Sequence, residues 1–333
     1  METFVIILIT VSATLASPQR TINDQTWSKF KQTHNKEYST KTEEVKRLAI
    51  FRENLSKIEA HNTRFKNGEV TYFKAMNKFS DLTTDEFLAF INRNKLTKQE
   101  KNYQNLKKIN STKIEQYESQ VDWRSNGLVS EVKNEAACSS SWSFSAIGAV
   151  EGQLALKTNQ LTSLSEQNLI DCSADFGNNG CNGGFATNAY SYVSQQGIMS
   201  ENDYPYEGKS NVCRFDASKS VTTVTGYYDI DANDEISLQN TIAMMGPVAA
   251  TVEATEELQF YSGGILLDEK CNNKVPDLNH GVLVVGYGTK DENDFWIIKN
   301  SWGSKWGEEG YYRLVRNHGN NCGIATSATL PIL

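Results

Sequence analysis

Near the middle of the chain the sequence reads Lys133-Asn134-Glu135-Ala136-Ala137-Cys138-Ser139-Ser140-Ser141-Trp142-Ser143-Phe144-Ser145. Serine is favoured where a helix begins. Beyond Ser141 the apolar residues recur on several faces of a helix that would continue to about Lys157. A helix that is apolar all round is buried inside a protein. The segment therefore predicts a helix that starts at Ser140–Ser141 and runs through the core.

Two later segments, Asn279-His280-Gly281 and Asn300-Ser301-Trp302-Gly303, complete a set of motifs. The three segments together resemble papain-like cysteine proteases, cathepsin L in particular, whose pattern is Asn-Gln-Gly-x-Cys-Gly-Ser-Cys-Trp. The resemblance covers nearly the whole chain. It implies an α+β fold of two lobes, one helical and one an antiparallel β-barrel-like lobe, behind an N-terminal helical inhibitory propeptide. The implied domains are a signal peptide (1–17), a propeptide-like inhibitor domain (18–116) and a peptidase domain (117–333) whose lobes divide near residue 220.

The resemblance also implies the catalytic positions. Ser141 stands where the family has its nucleophilic cysteine, and Glu135 replaces the glutamine that helps to bind the oxyanion. His280 and Asn300 match the catalytic histidine and asparagine. Ala136 and Ser139 replace two glycines. With this serine the chain is most similar to the testin type of the family, which is secreted and non-catalytic.

These replacements weaken the family's chemistry. A serine hydroxyl does not ionise at a helix N-terminus as a thiol does, so His280 would have to act as a full general base. In serine proteases, exchanging the carboxylate behind that histidine for an amide costs ~10⁴ in kcat, and Asn300 is an amide. Deleting one oxyanion donor costs ~10²–10³. We therefore expect a protein that is not an enzyme and that acts by binding. The alternative is a slow serine-type peptidase or acyl hydrolase that uses Ser141 and His280, at acid pH, where Glu135 could protonate and regain a donor.

By resemblance, the substrate cleft is lined by Gly183, Gly184, Phe185, Ala186, Thr251, Leu278, Gly281, Trp302 and Ser327. This lining is mostly apolar, so it would accept an apolar side chain of a peptide. The expected partners are protein or peptide ligands, among them cystatin-like inhibitors and cell-surface or junction proteins, and the chain's own propeptide. No cofactor is expected.

The six cysteines are an even count behind an apolar leader, which favours disulfides in an oxidising compartment. The resemblance implies the pairs Cys138–Cys181, Cys172–Cys213 and Cys271–Cys322. No metal site is expected, because no Cys-x-x-Cys occurs and the four histidines are far apart in sequence. N-glycosylation sequons begin at Asn54 and Asn110. Asn110 is the more accessible of the two, whereas Asn54 could equally be a structural asparagine.

The N-terminal part has its own motifs. Met1 to about Ser17 predicts a signal peptide and hence a secreted, extracellular protein, with lysosomal targeting as an alternative. Thr40 and Glu43 predict a capping box. The helix that follows carries Glu43, Arg47, Phe51, Asn54, Ile58 and Asn62, the interspersed motif of cathepsin L-type propeptides. Thr84 is expected to cap a short helix to Ile91, and Lys95 to Glu118 predicts a polar linker.

Further along, Ser163 and Glu166 predict another capping box, and Gly197 predicts the end of a helix that begins at Ala186. From Val221 onward the pattern changes to short β runs. The net charge is −7, but basic residues exceed acidic ones between Pro18 and Gln116 and the remainder is acidic. This split favours docking of the propeptide on the rest of the chain. Nucleic-acid binding is not expected because no basic run exceeds a pair, and no segment is apolar enough for a membrane span.

Overall fold

The computed structural model describes residues 24–91 and 118–333. The residues predicted to form the signal peptide, most of those predicted to form the linker, and Asn110 lie outside these described residues. The chain divides into two compact units, residues 1–48 and 49–333. In the described ranges no helix has the length and apolarity needed to cross a bilayer.

The first unit contains helix α1 (Asp24–Thr33) and the first two turns of helix α2 (Lys41–Lys66). The Trp27 ring stacks on Phe30 and on Tyr38, with centroids 5.4 Å and 5.8 Å apart. The Thr40 hydroxyl accepts a hydrogen bond from the Glu43 N–H at 3.1 Å. α2 therefore begins where the predicted capping box places it.

In the second unit, the rest of α2 leads to strand β1 (Tyr72–Lys74) and helix α3 (Thr84–Ile91). The cap of α3 is Thr83 rather than Thr84, because Thr83 and Glu86 exchange hydrogen bonds of 3.1 Å and 2.9 Å. Asn54 is buried, and its amide donates to the carbonyls of Ser80 and Leu82 at 3.0 Å and 2.8 Å. These hydrogen bonds support the interpretation of Asn54 as a structural asparagine.

The helical lobe contains α4 (Ser141–Thr158), α5 (Glu166–Cys172) and α6 (Ala186–Gln196). α4 is buried along most of its length, as its sequence predicts. The cap of α5 is Ser165 and not Ser163: the Ser165 hydroxyl accepts from the Asn168 N–H at 2.9 Å. α6 ends at Gly197, which has a φ of 91°, as predicted.

The β lobe is built on one sheet, with strands in the order β1-β7-β10-β9-β8-β6-β11-β5 and β2 also paired to β8. The bounds are β2 Val121–Asp122, β5 Gly226–Asp229, β6 Val248–Val252, β7 Tyr261–Leu266, β8 His280–Lys290, β9 Asn293–Lys299, β10 Tyr311–Val315 and β11 Ser327–Ile332. β3 (Ile198–Met199) and β4 (Ser220–Thr222) pair separately. The sheet is not purely antiparallel as expected, because β7 and β10 run parallel. The β lobe also contains a helix, α7 (Glu235–Met245).

Each lobe has its own apolar core. The β-lobe core includes Trp296, Trp302 and Trp306, and Phe79 and Phe87 of the N-terminal part pack into it. The helical core surrounds α4, and a smaller cluster with Leu283 joins α4 to β8. The disulfides are Cys138–Cys181, Cys172–Cys213 and Cys271–Cys322, the pairs that the resemblance implies. The α+β prediction of two lobes is confirmed, and α4 and β8 meet where they face each other.

Candidate active site

Ser141 and His280 are brought together by the N-terminus of α4 and the start of β8. Ser141 is fully buried, and its hydroxyl oxygen accepts from the N–H of Gly281 at 3.0 Å. A Cβ on Gly281 would lie 2.7 Å from the Ser141 carbonyl oxygen. Only glycine permits this approach, so Gly281 allows the residue beside it, His280, to reach the helix terminus.

His280 is held in one tautomer. Its Nε2 lies 2.8 Å from Oδ1 of Asn300, and that same oxygen accepts from the Ser301 N–H at 2.8 Å. Because the amide oxygen can only accept, Nε2 must carry the hydrogen, and Nδ1 remains the basic nitrogen. The ring also packs on Trp302, with centroids 4.8 Å apart. Burial lowers the pKa of His280 to about 4, although the Asn300 hydrogen bond acts in the opposite direction.

Glu135 joins the two lobes beside this pair. One carboxylate oxygen accepts from the N–H of Ser140, next to the nucleophile position, at 3.0 Å. The other accepts from the Ser301 hydroxyl at 2.9 Å and from the Trp302 indole N–H at 3.0 Å. Burial raises the pKa of Glu135 to about 7, against the lowering effects of these hydrogen bonds and of the Lys78 charge. Glu135 therefore changes charge near neutral pH.

The two residues that replace family glycines are both in unfavourable positions. Ala136 has a φ of 55°, a left-handed conformation that costs a residue with a Cβ roughly 1–2 kcal/mol. The Ser139 hydroxyl is buried and has no hydrogen-bond partner in the described part of the chain. The loop before α4 therefore keeps a glycine-type conformation at position 136, and at position 139 it buries a hydroxyl that a glycine would not have.

A pocket opens beside Ser141 and His280. Its lining is Ser141, Trp142, Ser145, Gly184, Phe185, Ala186, Thr187, Ala249, Ala250, Thr251, Asn279, His280, Gly281, Ser327 and Thr329. Six of the predicted cleft residues belong to it: Gly184, Phe185, Ala186, Thr251, Gly281 and Ser327. The sequence reasoning missed Ala249, Ala250 and Thr329, although the small side chains of β6 and β11 were a signal that these strands could leave room for a ligand.

Three of the predicted cleft residues lie outside this lining. Leu278 is fully buried, with its side chain against Gly323. Gly183 is buried and its carbonyl accepts from the Asn179 N–H at 2.8 Å. Trp302 lies behind His280 and is covered by Phe79 and Phe87, whose ring centroids are 5.3 Å and 5.6 Å away. For Leu278, tight packing in the β lobe explains why it cannot line the pocket.

One group of potential metal ligands occurs within residues 24–91 and 118–333, namely Asp268 with Cys271 and Cys322. The two cysteines are bonded to each other. The group therefore offers a cation a single carboxylate, which does not make a metal site.

Family models match both parts of the chain. Residues 117–332 match the papain family cysteine protease model, and residues 27–87 match the cathepsin propeptide inhibitor domain. The cathepsin L-like peptidase of Aedes aegypti is 41% identical over 100% of both chains. The procathepsin L of Rattus norvegicus is 40% identical over 98% of this chain and 97% of its own.

A solved structure agrees with these matches. The digestive procathepsin L 3 of the Tenebrio molitor larval midgut is 55% identical, with a TM-score of 0.88, and the match covers 93% of this chain and 99% of that one. Our expectation that the chain is not an enzyme is wrong, because relatives this similar are cathepsin L peptidases by name. The chain belongs to the papain family of cysteine proteases, as a cathepsin L-like member that carries the cathepsin propeptide inhibitor domain.

Proposed function

We propose that the chain is a slow acyl hydrolase that cleaves peptides, with Ser141 as its nucleophile and His280 as its general base. The observation that carries this proposal is the tautomer of His280: Nε2–H is bound to Asn300, so Nδ1 is free of a proton. A serine nucleophile needs a neutral imidazole, whereas a thiolate is paired with a charged one. The lowered pKa of His280 supplies the neutral form at every pH well above 4.

The steps follow from this arrangement. The Ser141 oxygen attacks the carbonyl carbon of the scissile bond, and its proton passes to Nδ1 of His280. The imidazolium then gives that proton to the leaving amine as the C–N bond breaks, which leaves an ester on Ser141. A water molecule, deprotonated by the same nitrogen, attacks the ester, and the proton returns to the Ser141 oxygen as the acid departs. Asn300 keeps the ring oriented throughout.

The developing oxyanion requires donors. The N–H of Ser141 lies in the first turn of α4, at the positive end of the helix dipole, which favours negative charge. Glu135 opposes the oxyanion when it is a carboxylate and can donate when it is protonated. Because burial raises its pKa to about 7, the acid form is available below neutral pH.

The proposal therefore specifies a pH window. His280 is neutral above about 4 and Glu135 is protonated below about 7. We expect kcat/KM to form a bell with its limbs near these two values, because that parameter reports the ionisations of the free enzyme. An acid compartment of the secretory route or an acid extracellular fluid fits this window.

The pocket determines the class of substrate. Ala249, Ala250 and Ser327 leave space beside Ser141, which favours peptides with an apolar residue two positions before the cut. Peptide ligands and cystatin-like inhibitors would compete for the same cleft.

The test uses purified protein from which the propeptide has been removed by an added protease. A fluorophosphonate probe should label Ser141 in the wild type but not in Ser141→Ala, and peptide ester turnover should exceed that of Ser141→Ala between pH 4 and 7. His280→Ala should lose both signals. A thiol-blocking reagent should have no effect, since all six cysteines are in disulfides. Absence of labelling, with turnover equal to that of Ser141→Ala at every pH, would refute the proposal.

A further inference from the structure

A small cavity lies between α4 and the strands β8 and β9, and we call it the interlobe cavity. Ser145 of α4 and Gly281 of β8 line both this cavity and the pocket beside Ser141. All of its lining residues are buried except Lys133 and Phe144, which are half-buried. Its volume is about 20 Å³. This is room for one water molecule.

Four charged side chains form part of the cavity wall. The Lys133 ammonium donates to the two carboxylate oxygens of Glu166 at 2.8 Å and 2.9 Å, and it lies 3.2 Å from Glu151. The Lys299 ammonium donates to the Ser130 hydroxyl at 3.0 Å, and that hydroxyl donates to Glu151 at 2.5 Å. The wall therefore carries two positive and two negative charges.

Asn300 forms another part of the wall. Its Oδ1 already accepts from Nε2 of His280 and from the N–H of Ser301, both at 2.8 Å. Asn300 is only 3% exposed, and its Nδ2 has no hydrogen-bond partner elsewhere in the described structure. A buried N–H donor without an acceptor is costly. Because Oδ1 is turned toward His280, Nδ2 is the end of the amide that remains for the cavity.

The wall selects the class of ligand. The amide of Asn300 and the ammonium of Lys299 present donors, which repel a cation. The carboxylates of Glu151 and Glu166 present acceptors, which repel an anion. A molecule of this size that both accepts and donates hydrogen bonds is water, and buried water typically has two to four polar partners.

We propose that the interlobe cavity binds one water molecule, which accepts from Nδ2 of Asn300 and donates to the carboxylates of Glu151 and Glu166, and that this water orients the Asn300 amide. The water site itself is independent of the proposed hydrolysis, whereas its role in positioning His280 rests on that proposed function. Glu151 and Glu166 are then positioning residues, because they act on His280 only through the water and Asn300.

The orientation of the amide decides which nitrogen of His280 is basic. If the Asn300 amide turned over, Nδ2 would face Nε2 of His280, and Nε2 would have to accept a hydrogen bond. The ring hydrogen would then lie on Nδ1, which would no longer be a base for Ser141. The Ser301 N–H favours the observed orientation as well. Loss of the water should therefore raise the population of the Nδ1–H tautomer about five- to tenfold, the effect of one hydrogen bond.

The variant that tests the site is Gly148→Ala. Gly148 lines the cavity, and a Cβ at this position would lie 2.8 Å from Cδ2 of Leu283, which also lines it. Leu283 is otherwise packed in an apolar cluster and is only 2% exposed. The added methyl group and the displaced leucine should therefore take up the space of the water.

Gly152→Ala is the matched control. Gly152 lies one turn further along the same face of α4 and does not line the cavity. A Cβ on Gly152 would lie 3.0 Å from Cδ of Pro247, so the control introduces a similar close contact. Both variants make the same exchange within one helix, and only Gly148→Ala should displace the water.

The measurement is NMR of the full chain labelled with ¹⁵N in asparagine and histidine. Asn300→Ala identifies the Asn300 side-chain signal, and His280→Ala identifies that of His280. In the wild type and in Gly152→Ala, the Nδ2 hydrogens of Asn300 should show a nuclear Overhauser contact with a long-lived water, and His280 should show the Nε2–H tautomer. In Gly148→Ala the water contact should be lost and the Nδ1–H tautomer should increase.

No water contact at Asn300 in the wild type would overturn the site. A Gly148→Ala protein that loses the contact but keeps the wild-type tautomer of His280 would overturn the positioning role. If Gly148→Ala does not fold, neutron diffraction from crystals of the wild-type chain decides, and Nδ2 bonded to a protein atom would refute the proposal. None of these readings uses turnover, so they stand whether or not Ser141 proves to be a nucleophile.

Discussion

Glu135 and Glu257 are two carboxyl groups whose surroundings shift their pKa values in opposite directions. Glu135, beside the nucleophile, receives three hydrogen bonds from neutral donors, and burial raises its pKa to about 7. Glu257 also receives a hydrogen bond from a neutral donor, the hydroxyl of Tyr72 in strand β1. In addition, the ammonium groups of Lys74 and Lys270 lie 2.6 Å and 3.1 Å from its carboxylate. Its pKa is lowered to about 2.

The difference shows that hydrogen bonds alone do not keep a buried carboxyl group ionised here. Desolvation opposes the charged form in both regions. Neutral donors fail to offset it at Glu135, whereas the ammonium groups of Lys74 and Lys270 reverse it at Glu257. The surroundings of Glu135 are therefore the pH-responsive region, and the contacts of Glu257 with Tyr72 and Lys74 are the pH-resistant one.

Among the variants that test this comparison, the double variant Ser141→Cys, Glu135→Gln should show the largest change in kcat/KM. At pH 8 Glu135 is ionised and should destabilise both a thiolate and an oxyanion, so Ser141→Cys alone gains little. The double variant should exceed it by ~10²–10³ in kcat/KM, the effect of restoring one oxyanion donor. At pH 5, where Glu135 is already neutral, the advantage should shrink to roughly tenfold or less.

The matched control is Ser141→Cys, Glu131→Gln, which changes an exposed carboxylate nearby. It should behave like Ser141→Cys at both pH values. If the Glu135 double variant gains no more than this control at pH 8, Glu135 is not the obstacle. Ala136→Gly and Ser139→Gly would then be the next changes to add.

The next effect is on the pH dependence of stability. The raised pKa of Glu135 means that the folded state holds its proton more firmly than the unfolded state, whose ordinary value is 4.5. Stability from this group is therefore lost as the pH rises from about 4.5 to 7, by roughly 3 kcal/mol. His280 acts oppositely, since its pKa is lowered and its stabilisation is lost as the pH falls from 6.5 toward 4.

Denaturant unfolding of wild type and Glu135→Gln at pH 5, 6, 7 and 8 isolates the Glu135 contribution, because His280 is common to both proteins. The difference in unfolding free energy should move in favour of the variant as the pH rises. The same comparison for Glu257→Gln should be flat over this range. A flat difference for Glu135→Gln would mean that its carboxyl group is ionised throughout.

The smallest effect concerns the backbone of the loop that carries Glu135. Ala136→Gly should stabilise the protein by roughly 1 kcal/mol, because Ala136 has a positive φ. Ala137→Gly, one residue along and outside the positive-φ region, should instead destabilise by roughly 0.5–1 kcal/mol. Thermal melting of both variants at one pH tests the pair, and an Ala136→Gly protein that melts below wild type would contradict the strain at this position.

Local sequence signals predict much of the fold. The start of α2 at Thr40, the end of α6 at Gly197 and the buried character of α4 all follow from neighbouring residues. The predicted cap of α5 at Ser163 is wrong because Glu166, which looks like its partner in the sequence, bonds Lys133 in the folded chain at 2.8 Å. The parallel pairing of β7 with β10 depends on contacts between distant strands, which no short pattern encodes.

The positions of His280 and Asn300 can be predicted from the sequence for the same reason, since both lie in recognisable motifs. The protonation state of Glu135 cannot be predicted in this way. Its donors come from residues 140, 301 and 302, and burial outweighs them only once both lobes are in place. The contacts of Glu257 are also missed: the charge split indicates attraction between the two parts of the chain, but not that one carboxylate contacts both Tyr72 and Lys74.

The most direct test of the contrast between the two regions is a titration of both groups in one sample. Protein labelled with ¹³C at the glutamate carboxyl carbon can be followed by NMR from pH 4 to 8, with Glu135→Gln and Glu257→Gln identifying the two signals. We predict that the Glu135 signal titrates near pH 7 and that the Glu257 signal does not move above pH 4. The contrast between the two groups would be contradicted if Glu135 already gave a carboxylate signal at pH 5, or if the Glu257 signal titrated near pH 4.5.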